Sequence, residues 1–485
     1  MGPSSQTIDL LGDKLSAREL AEKVGAPLAP GTPDPVTNWE DARAFADEHG
    51  LPIAIKAAFG GGGRGLKVVT ERGDIEETFA SAGHEAGEAF GRSECYVEKF
   101  LTHPRHVEAQ VLADTHGNVV VLGTRDCSTQ RRYQKLIEEA PAPDLSDEQR
   151  RGIIEGARAI CSAAGYTSAG TVEYIVAEDG TVSFLEVNTR LQVEHPVTEE
   201  TTGVDIVAEQ FRVAAGLPLS ITEDPDAHGH AFEFRINAED IANGFAPCPG
   251  TVTLFDPPSG PGIRVDAGVR TGGTVPSYYD SLLGKLIVWG PSREVALHRA
   301  QHALEEFTVE GVRTVLPFHR DMATHPALAG EHVELYTNWV DREYTPRYRT
   351  AGGDIAAIYE SRTALTVEID GKLHELKLPT ELLAAGAGAG GAAAGSGASG
   401  SGASGSGASN SGSDDASTPV TASFAGTLVA WKVAEGDSVS AGDPIATVEA
   451  MKMESTIKAP ADGQITLTVE EGSEFAAGDE LGTIA

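Results

Sequence analysis

Gly436-Asp437-Ser438-Val439-Ser440-Ala441-Gly442-Asp443-Pro444-Ile445-Ala446-Thr447-Val448 recurs near the end of the chain as Gly472-Ser473-Glu474-Phe475-Ala476-Ala477-Gly478-Asp479-Glu480-Leu481-Gly482-Thr483-Ile484. Each copy alternates apolar and polar residues and contains a Gly-Asp pair, the pattern of short strands joined by tight turns. Upstream of the copies, residues 426–433 also match residues 463–469, with one residue fewer. The duplication predicts an all-β flattened barrel with a pseudo-twofold axis.

One lysine lies midway between the two copies, in Glu449-Ala450-Met451-Lys452-Met453-Glu454. A hairpin there would keep the Lys452 amine accessible for covalent modification. An ordinary exposed lysine between packing methionines is the alternative, and the duplicated frame disfavours it. The segment resembles a biotin carrier domain; lipoyl domains share the frame but usually have Asp-Lys-Ala at this point. The resemblance implies that Lys452 carries covalent biotin.

The composition restricts the classes of protein to which the chain can belong. Its 485 residues are enough for two to four domains, and a hydrophobic content of 40% supports a sizeable core. The net charge of −35 argues against nucleic-acid binding and against attraction to anionic membranes. Such acidity is typical of proteins from salt-loving organisms, in which concentrated salt screens the self-repulsion. A merely acidic cytosolic protein is the alternative.

The cysteines and the amino terminus predict a cytoplasmic location. The four cysteines, at positions 95, 127, 161 and 248, form no Cys-x-x-Cys pair, which favours reduced thiols. The first twenty residues have no apolar signal-peptide core, and no apolar run is long enough to span a membrane.

The chain has one plain boundary. Residues 384–418 consist almost wholly of Gly, Ala and Ser, which predicts a flexible linker with a root-mean-square span of roughly 30 Å. The carrier domain, 419–485, follows it, and a small hairpin is expected within 346–383. The large region before these reads as α/β. Its predicted strands are 52–57, 107–112, 119–122, 171–176 and 182–187, and its predicted helices are 147–163 and 203–215.

Four segments of the large region carry chemistry. Lys56 precedes a loop with Gly61, Gly62 and Gly63, whose main-chain amides can surround phosphate oxygens, although such a loop is often only a mobile turn. The loop is neither a Walker A sequence nor a dinucleotide fingerprint. Glu173 on one strand and the pair Glu186 and Asn188 on the next can bind a divalent cation. A solvated pair of glutamates is the alternative for that site.

The other two segments are dense in polar residues. Residues 186–199 mix charged residues with apolar residues that would bury them, so their polar groups need partners. A charged surface loop is the alternative. Residues 125–135 gather cations in an acidic chain, which predicts contact with an anion such as bicarbonate or phosphate. A solvated basic strip is the alternative there.

Together the segments resemble the ATP-grasp portion of biotin carboxylase, over about residues 1–345. The matching stretches are Gly12-Asp13-Lys14, the glycine loop, Glu98-Lys99-Phe100-Leu101, Arg105-His106-Val107-Glu108, 125–135, 186–199, Arg235-Ile236-Asn237-Ala238-Glu239-Asp240 and Tyr278-Tyr279-Asp280-Ser281. With the carrier, the chain resembles the α subunit of an acyl-CoA carboxylase. The resemblance implies a connecting segment at 1–28, an ATP-grasp lid at 29–101, and the ATP-grasp core with the carboxylase C-terminal domain at 102–345.

The resemblance also implies the roles of individual residues. The ATP ligands would be Lys14, Lys56, Gly61, Gly62, Gly63, Glu98, Leu101, His106 and Gln130. The ligands of Mg²⁺ or Mn²⁺ would be Glu173, Glu186 and Asn188. Lys135 and Arg190 would hold bicarbonate, Glu194 would be its general base, and Arg235 would lie beside biotin and phosphate.

The implied reaction is the ATP- and bicarbonate-dependent carboxylation of biotin on Lys452. Carboxybiotin would then pass to a carboxyltransferase β subunit that carboxylates acetyl-CoA or propionyl-CoA. A biotin protein ligase would attach the biotin, and the family suggests homo-oligomers within a larger complex. A different biotin enzyme, acting on pyruvate or urea, is less favoured because no transferase lies between 345 and 418.

Two departures from the family pattern stand out. A Rossmann-like domain of roughly a hundred residues usually precedes the Gly-Pro-Ser-Ser segment, which here begins at Gly2. We therefore expect this form to be poorly stable or catalytically impaired, and a truncated chain acting mainly as a carrier module is the alternative function. Tyr133 stands where many members have His, which could tune nucleotide affinity.

Overall fold

The protein is described from a computed structural model, which covers residues 1–32, 34–57, 66–90, 95–345, 362–369, 372–379, 417–422, 426–450, 453–476 and 478–485. The chain divides into two compact units. Residues 1–241 and 245–345 belong to the first unit, and residues 346–450 and 454–485 belong to the second.

The first unit contains both helices and strands. Its α-helices are α1 Ser5–Gly12, α2 Lys14–Lys23, α3 Trp39–His49, α4 Ile75–Phe90, α5 Asp147–Ala163, α6 His195–Thr202, α7 Ile206–Ala214, α8 Arg293–Glu306, α9 Leu316–Met322, α10 Pro326–Ala329 and α11 Trp339–Arg342. Its strands are β1 Ile53–Ala57, β2 Leu66–Val69, β3 Cys95–Lys99, β4 Arg105–Ala113, β5 Val119–Arg131, β6 Gln134–Ala140, β7 Ser168–Val176, β8 Val182–Asn188, β9 His230–Asn237, β10 Glu239–Asp240, β11 Ala246–Pro247, β12 Gly250–Thr251, β13 Leu254–Asp256, β14 Ile263–Ala267, β15 Thr274–Val275, β16 Leu282–Gly290 and β17 Thr308–Glu310.

The first two helices are well capped and belong to the core. The Ser4 side chain accepts from the amide of Thr7, and the Asp13 side chain accepts from the amide of Ser16 at 2.8 Å. Leu11 and Ala21 are buried in the same cluster as residues of α5 and of β4. The predicted connecting segment thus packs as part of the large unit.

A small antiparallel sheet with its own apolar core follows. Its strand order is β2-β1-β3, and helices α3 and α4 pack on it. Phe45 and Ile75, from the helices, are buried with Ile53, Ile55 and Val97, from the strands. The predicted strand at 52–57 is confirmed, apart from its first residue.

The centre of the unit is an eight-stranded antiparallel sheet in the order β14-β16-β9-β6-β5-β4-β7-β8. The hairpin of β7 and β8 is confirmed, with Glu173 directly opposite Glu186. The predicted helix 147–163 is confirmed at both ends, and Ser146 and Gln149 form a capping box at its start. The helix predicted at 203–215 begins later, because Gly203 ends α6 with a φ of 72° and Asp205 caps α7.

The two faces of this sheet differ in chemistry. Val107 and Val111 of β4 lie in one apolar cluster with α5, and Phe232 and Phe234 of β9 lie in another with α8 and α9. Side chains alternate along a strand, so the intervening residues of β4 and β9 face the other way. These are His106, Glu108, Gln110, Glu233, Arg235 and Asn237, and together they give the second face its charge.

The second unit contains a hairpin and the duplicated barrel. Its strands are β18 Arg362–Ile369, β19 Lys372–Pro379, β20 Thr418–Thr421, β21 Gly426–Trp431, β22 Ser438–Val439, β23 Pro444–Ala450, β24 Met453–Lys458, β25 Gly463–Leu467, β26 Glu474–Phe475 and β27 Glu480–Ile484. The barrel sheets are ordered β20-β27-β25-β22 and β24-β23-β21-β26. Matching strands of the two copies occupy matching positions, which confirms the pseudo-twofold duplication.

The hairpin expected within 346–383 is confirmed by the pairing of β18 with β19. The predicted linker extends to Thr418, which is wrong by one residue because Thr418 begins β20 and pairs with Ile484. The rest of the linker, residues 384–416, lies outside the described residues, as do Gly61, Gly62, Gly63 and Lys452. Among the residues that are described, no helix is long and apolar enough to cross a membrane.

Candidate active site

A cleft of about 1190 Å³ opens on the charged face of the large sheet. Most of the residues predicted to form the site line it: Lys56, Glu98, Leu101, His106, Gln130, Lys135, Glu173, Glu186, Asn188, Arg190, Glu194 and Arg235. Lys14 is the first residue of α2, and its side chain is not among those described. Arg18, one turn further along the same helix, lines the cleft and was not predicted from the sequence.

The small sheet supplies one wall of the cleft. Lys56 on β1 and Glu98 on β3 form an ion pair between neighbouring strands. Both side chains were predicted to be ATP ligands, and here each neutralises the other. A nucleotide that engages both would therefore have to compete with this pair.

His106 and Gln130 form a second polar pair in the cleft. Gln130 Nε2 lies 3.0 Å from His106 Nδ1 and donates to the carbonyl oxygen of Cys127 at 2.7 Å. The main-chain amide of His106 donates to Ser128 Oγ at 3.0 Å. Both side chains are buried and their orientation is fixed by these contacts.

Lys135 is the centre of the charged face. Its Nζ lies 2.6 Å from Glu194 Oε1, 2.8 Å from Glu108 Oε2 and 3.2 Å from Glu173 Oε1. Burial would lower the pKa of Lys135, but the neighbouring Cys127, Glu108 and Glu194 raise it well above its ordinary value. The ammonium group is therefore permanently charged at neutral pH.

A break in strand pairing puts Lys135 on this face. The register of β5 with β6 runs from Thr129 opposite Ile137 to Gln130 opposite Lys135, so Leu136 is an extra residue. Such a bulge changes which face the following side chains occupy. It brings Lys135 to the same face as Glu138, although the two are three residues apart.

The buried pair of Glu108 and Arg125 supports Lys135 and was not predicted. Arg125 Nε donates to Glu108 Oε1 at 2.6 Å, and Nη1 donates to Gln110 and Thr198 at 2.7 and 2.9 Å. Burial raises the pKa of Glu108, but the charges of Arg125 and Lys135 outweigh it and lower the pKa to about 2. The prediction that the basic run at 125–135 meets an external anion is wrong for Arg125, which is fully buried against Glu108.

A signal for this pair does exist in the sequence. His106, Glu108 and Gln110 alternate with valine and alanine, as expected for a strand with one polar face. Three such residues in a row on a strand in the interior of a sheet require buried partners.

Glu194 links the two cations of the site. It precedes α6, is almost fully buried, and its second oxygen accepts from Arg235 Nη2 at 3.0 Å. Burial and the charge of Glu108 would raise its pKa, but Lys135 and Arg235 lower it below its ordinary value. Of the four residues predicted to be catalytic, Lys135, Glu194 and Arg235 are joined by ion pairs. Arg190 stands apart at the exposed rim, where Nη1 lies 3.3 Å from the carbonyl oxygen of Leu191.

The predicted metal ligands lie together on β7 and β8. Glu173 Oε1 accepts from Asn188 Nδ2 and Gln192 Nε2, each at 2.9 Å, and Oε2 lies 3.0 Å from His106 Nε2. Burial would raise the pKa of Glu173, but these hydrogen bonds and the charge of Lys135 hold it far below its usual range. Glu186 is half-buried directly across the strand pair. The donors are carboxylate and amide oxygens, the set that suits Mg²⁺ or Mn²⁺.

A cleft with charged side chains, on an antiparallel sheet with a smaller sheet beside it, is the arrangement expected of an ATP-grasp carboxylase. Comparison with protein families supports this class. Residues 13–222 match the ATP-binding domain of the carbamoyl-phosphate synthase L chain, residues 233–342 match the biotin carboxylase C-terminal domain, and residues 418–484 match the biotin-requiring enzyme domain.

Known proteins similar to this chain narrow the class of enzyme to biotin carboxylases. The chain is 51% identical to the biotin-dependent acyl-coenzyme A carboxylase alpha3 subunit of Mycobacterium leprae, over 100% of this chain and 82% of that protein. It is 50% identical to the biotin carboxylase of Haemophilus influenzae, over 66% of this chain and 71% of that protein. A solved biotin carboxylase domain of a thermophilic 2-oxoglutarate carboxylase matches with a TM-score of 0.67 and 42% identity, over 70% of this chain and 75% of that one.

The chain belongs to the biotin carboxylase family and also carries the family's biotin domain. The activity of the family is the ATP-dependent carboxylation of biotin, with bicarbonate as the carboxyl source and Mg²⁺ as the metal.

Proposed function

We propose that this chain is the α subunit of an acyl-CoA carboxylase, which carboxylates biotin held on its own Lys452 and delivers the carboxyl group to a separate carboxyltransferase. The observation that carries the proposal is the ion-paired cluster of Lys135, Glu194 and Arg235 in one cleft. That cluster supplies two fixed cations and one carboxylate base, which activation of bicarbonate by ATP requires.

Bicarbonate is a poor electrophile, so its oxygen first attacks the γ-phosphate of ATP and displaces ADP. Lys135 and Arg190 hold the bicarbonate anion, and Glu194 accepts its proton during the attack. The lowered pKa of Glu194 keeps it ionised at neutral pH, the state that a base needs. The resulting carboxylic–phosphoric anhydride releases carbon dioxide and phosphate, and Arg235 retains the phosphate beside the reacting atoms.

The nucleotide is held by residues from both sheets. Lys14, Lys56 and the loop with Gly61, Gly62 and Gly63 bind the phosphates. Glu98 and Leu101 bind the adenine, and His106 and Gln130 lie beside the nucleotide. Binding is coupled to opening of the Lys56–Glu98 pair, because the two side chains neutralise each other before ATP is present.

Glu173, Glu186 and Asn188 would hold Mg²⁺ or Mn²⁺, which when bound neutralises the negative charge of the phosphate oxygens. The amide nitrogen of Asn188 already donates to Glu173, so its carbonyl oxygen is the atom that it offers a cation. Glu173 is orientated by Gln192 and His106, an arrangement that fixes a metal ligand before the metal arrives.

Biotin, attached to Lys452 by a biotin protein ligase, would supply a ureido nitrogen that takes up the released carbon dioxide, with its N–H proton passing to the phosphate that Arg235 retains. The Gly-, Ala- and Ser-rich composition of residues 384–417 is that of a linker, which would let the carrier visit both this cleft and the partner's active site and so raise the effective concentration of biotin at each. We further propose that the chain forms homo-oligomers in a cytoplasmic complex with a carboxyltransferase β subunit.

The acceptor is proposed to be acetyl-CoA or propionyl-CoA. The relative from M. leprae matches the whole of this chain, carrier included, and its name specifies an acyl-CoA carboxylase. The pyruvate carboxylase of Aspergillus niger is 44% identical but matches only 67% of this chain and 28% of its own length. An acyl-CoA acceptor is therefore favoured over pyruvate.

The test measures bicarbonate-dependent ATP hydrolysis by the full chain, with and without free biotin. Glu194→Gln should lower kcat by about a hundredfold or more, the usual scale for losing a positioned base. Glu178→Gln is the matched control, since Glu178 lies in the exposed turn between β7 and β8 and its side chain lies 2.8 Å from His103 Nδ1, away from the charged cluster.

Avidin capture of the biotinylated chain with its carboxyltransferase, followed by assays with acetyl-CoA, propionyl-CoA and pyruvate, identifies the acceptor. A biotinylated chain that hydrolyses no ATP in response to bicarbonate would instead support the carrier-module function. Carboxylation of pyruvate alone would contradict the acyl-CoA assignment.

A further inference from the structure

Two buried glutamates beneath the site have no role in the chemistry described above. Glu138 on β6 and Glu233 on β9 lie directly opposite each other in the strand pairing and are both fully buried. Side chains at opposite positions share a face of the sheet, with Cβ atoms roughly 5 Å apart. Their carboxyl groups therefore lie within reach of one another, next to Arg235 two residues along β9.

The hydrogen bonding of this pair is incomplete. Glu138 Oε1 accepts from Arg235 Nε at 2.5 Å, but Glu138 Oε2 and both oxygens of Glu233 are buried without a hydrogen-bond partner among the described residues. The other carboxylates of the cluster differ, because Glu108 and Glu194 each accept at both oxygens.

Lys285 does not supply the hydrogen bonds that Glu233 lacks. Lys285 Nζ donates to the carbonyl oxygen of Val193 at 2.5 Å and lies 3.9 Å from Glu233 Oε2, too far for a hydrogen bond. If both Glu138 and Glu233 were ionised, two charges would be buried side by side with three oxygens that accept no hydrogen bond from any described residue, which would be strongly unfavourable. One shared proton removes a charge and supplies the missing donor.

We propose that Glu233 is a neutral carboxylic acid whose hydroxyl donates to Glu138 Oε2, and that the two act together as positioning residues for Arg235. The inference rests on the proposed role of Arg235 at the phosphate. Arg235 is then held by one oxygen of Glu138 and one of Glu194, which fixes the plane of the guanidinium. A second ionised carboxylate at Glu233 would instead compete with the substrate anion for its charge.

The surrounding charges agree with this arrangement. Burial and the charge of Glu138 raise the pKa of Glu233 well above its ordinary value, against the opposing effect of Lys285 and Arg235. Burial likewise raises the pKa of Glu138, to about 7, with Arg235 and Lys135 opposing it. The charge of Glu194 also raises the pKa of both carboxyl groups. Cys127 is a further titratable group that interacts with Glu138.

The protonation state is tested by infrared difference spectroscopy on the full chain at neutral pH. Subtracting the spectrum of Glu233→Gln from that of the wild type should reveal the C=O band of a protonated carboxylic acid. Glu200→Gln, which removes a half-buried carboxylate that is paired with Arg264, should lose a carboxylate band instead. Loss of a carboxylate band from Glu233→Gln would overturn the proposal.

The positioning role is tested by bicarbonate-dependent ATP hydrolysis. Glu233→Gln should keep kcat within about threefold, because the amide also donates to Glu138, whereas Glu233→Leu should lower it about tenfold or more, the scale of a lost hydrogen bond to a charged group. Glu138→Gln should lower kcat to a similar extent with the KM for ATP unchanged. Thermal unfolding identifies any variant that has simply lost its fold.

Equal activity of the Gln and Leu variants, both folded, would overturn the positioning role. Absence of biotin-stimulated hydrolysis in the wild type would count against the proposed function alone, because the infrared band decides the state of Glu233 without any turnover.

Discussion

Lys135 is the residue on which the charge balance of the site depends. It contacts three carboxylates, all of which are buried, and its own side chain is only 11% exposed. Removing one member of a buried ion pair destabilises a protein by more than the pair itself stabilises it. The charges that remain are still shielded from water but no longer have an opposite charge beside them. A single substitution here should therefore affect both stability and turnover.

Lys135→Met should lower the free energy of unfolding by about 3–5 kcal/mol, and kcat by roughly a hundredfold or more. Lys99→Met is the control, since Lys99 lines the same cleft but donates to the carbonyl oxygen of Leu51 at 3.1 Å; we expect it to cost about 1 kcal/mol or less. Urea titration followed by tryptophan fluorescence measures the stability of each variant, and bicarbonate-dependent ATP hydrolysis measures its kcat. Equal losses for the two variants would contradict the central role of Lys135.

Glu139, which has no role in the proposed reaction, tests how the stability of the fold depends on pH. Its carboxylate joins two elements, with Oε2 lying 2.7 Å from His230 Nε2 on β9 and accepting from Arg293 Nε on α8 at 2.7 Å. Burial would raise the pKa of Glu139, but His230 and Arg293 lower it to about 2, from an ordinary value of 4.5. A lowered pKa in the folded state gives stability that is present above pH 4.5 and is lost as the pH falls toward 2.

Glu139→Gln should therefore be less stable than the wild type by about 3 kcal/mol at pH 7, a difference of roughly 1.4 kcal/mol per unit of pKa shift. The gap should narrow steadily as the pH falls below about 4.5. Unfolding curves for both proteins at about pH 7, 5 and 4 measure it. A gap that does not change with pH would show that the charge of Glu139 is not what stabilises this contact.

Among the helices and strands, the sequence correctly predicted those features that depend on residues close together in the chain. The capping box of α5 and the turn between β7 and β8 are set by neighbouring residues, and the helix and the hairpin lie where the sequence predicts them. The predicted start of α7 is wrong because Gly203 reads as part of a helix, whereas its left-handed conformation ends the preceding one. The pairing of Glu108 with Arg125 depends on the register of the two consecutive strands β4 and β5, which the polar alternation of β4 does not specify.

Two glycines of helix α5 test its packing, because helix propensity alone predicts the wrong result for one of them. A Cβ on Gly156 would lie 2.8 Å from Tyr174 Oη and 2.9 Å from Pro27 Cδ, whereas a Cβ on Gly152 would lie 3.4 Å from Pro27 Cγ. Both glycines sit in the helix interior, where alanine is favoured by about 1 kcal/mol. Gly152→Ala should therefore be neutral or stabilising, and Gly156→Ala should destabilise by about 1–3 kcal/mol because the helix must move.

Thermal unfolding of the two variants compares them directly. A stabilising Gly156→Ala would mean that the amino-terminal segment and β7 do not pack against α5 as described.

For the whole molecule, the duplicated carrier and the order of the motifs were sufficient to predict the family. The class of reaction could be predicted because the chemical groups of the site are spread along the chain in a specific order. The convergence of Lys135, Glu194 and Arg235 required the fold, since they come from β6, the start of α6 and β9. The buried pair of Glu138 and Glu233 was missed for the same reason, because adjacency of β6 and β9 cannot be read from either strand alone.

The net charge of −35 makes a prediction that concerns the chain as a whole. Screening of self-repulsion should raise the melting temperature between about 0.1 and 2 M KCl by about 5 °C near pH 7.5, which corresponds to roughly 1–2 kcal/mol for domains of this size. The control is the same comparison near the isoelectric point of about 4.7, where the gain should largely vanish. An equal gain at both pH values would indicate a general salting-out effect and not screening of charge.

The most direct test of the account follows labelled carbon from bicarbonate onto the chain. The biotinylated protein is incubated with [¹⁴C]bicarbonate, Mg²⁺ and ATP, separated from free bicarbonate by rapid gel filtration, and counted. We expect label that depends on ATP, is absent in Lys452→Ala, and falls by roughly a hundredfold in Glu194→Gln. A chain whose mass shows biotin but which takes up no label with ATP, or label that persists in Lys452→Ala, would contradict the claim that this chain carboxylates its own biotin.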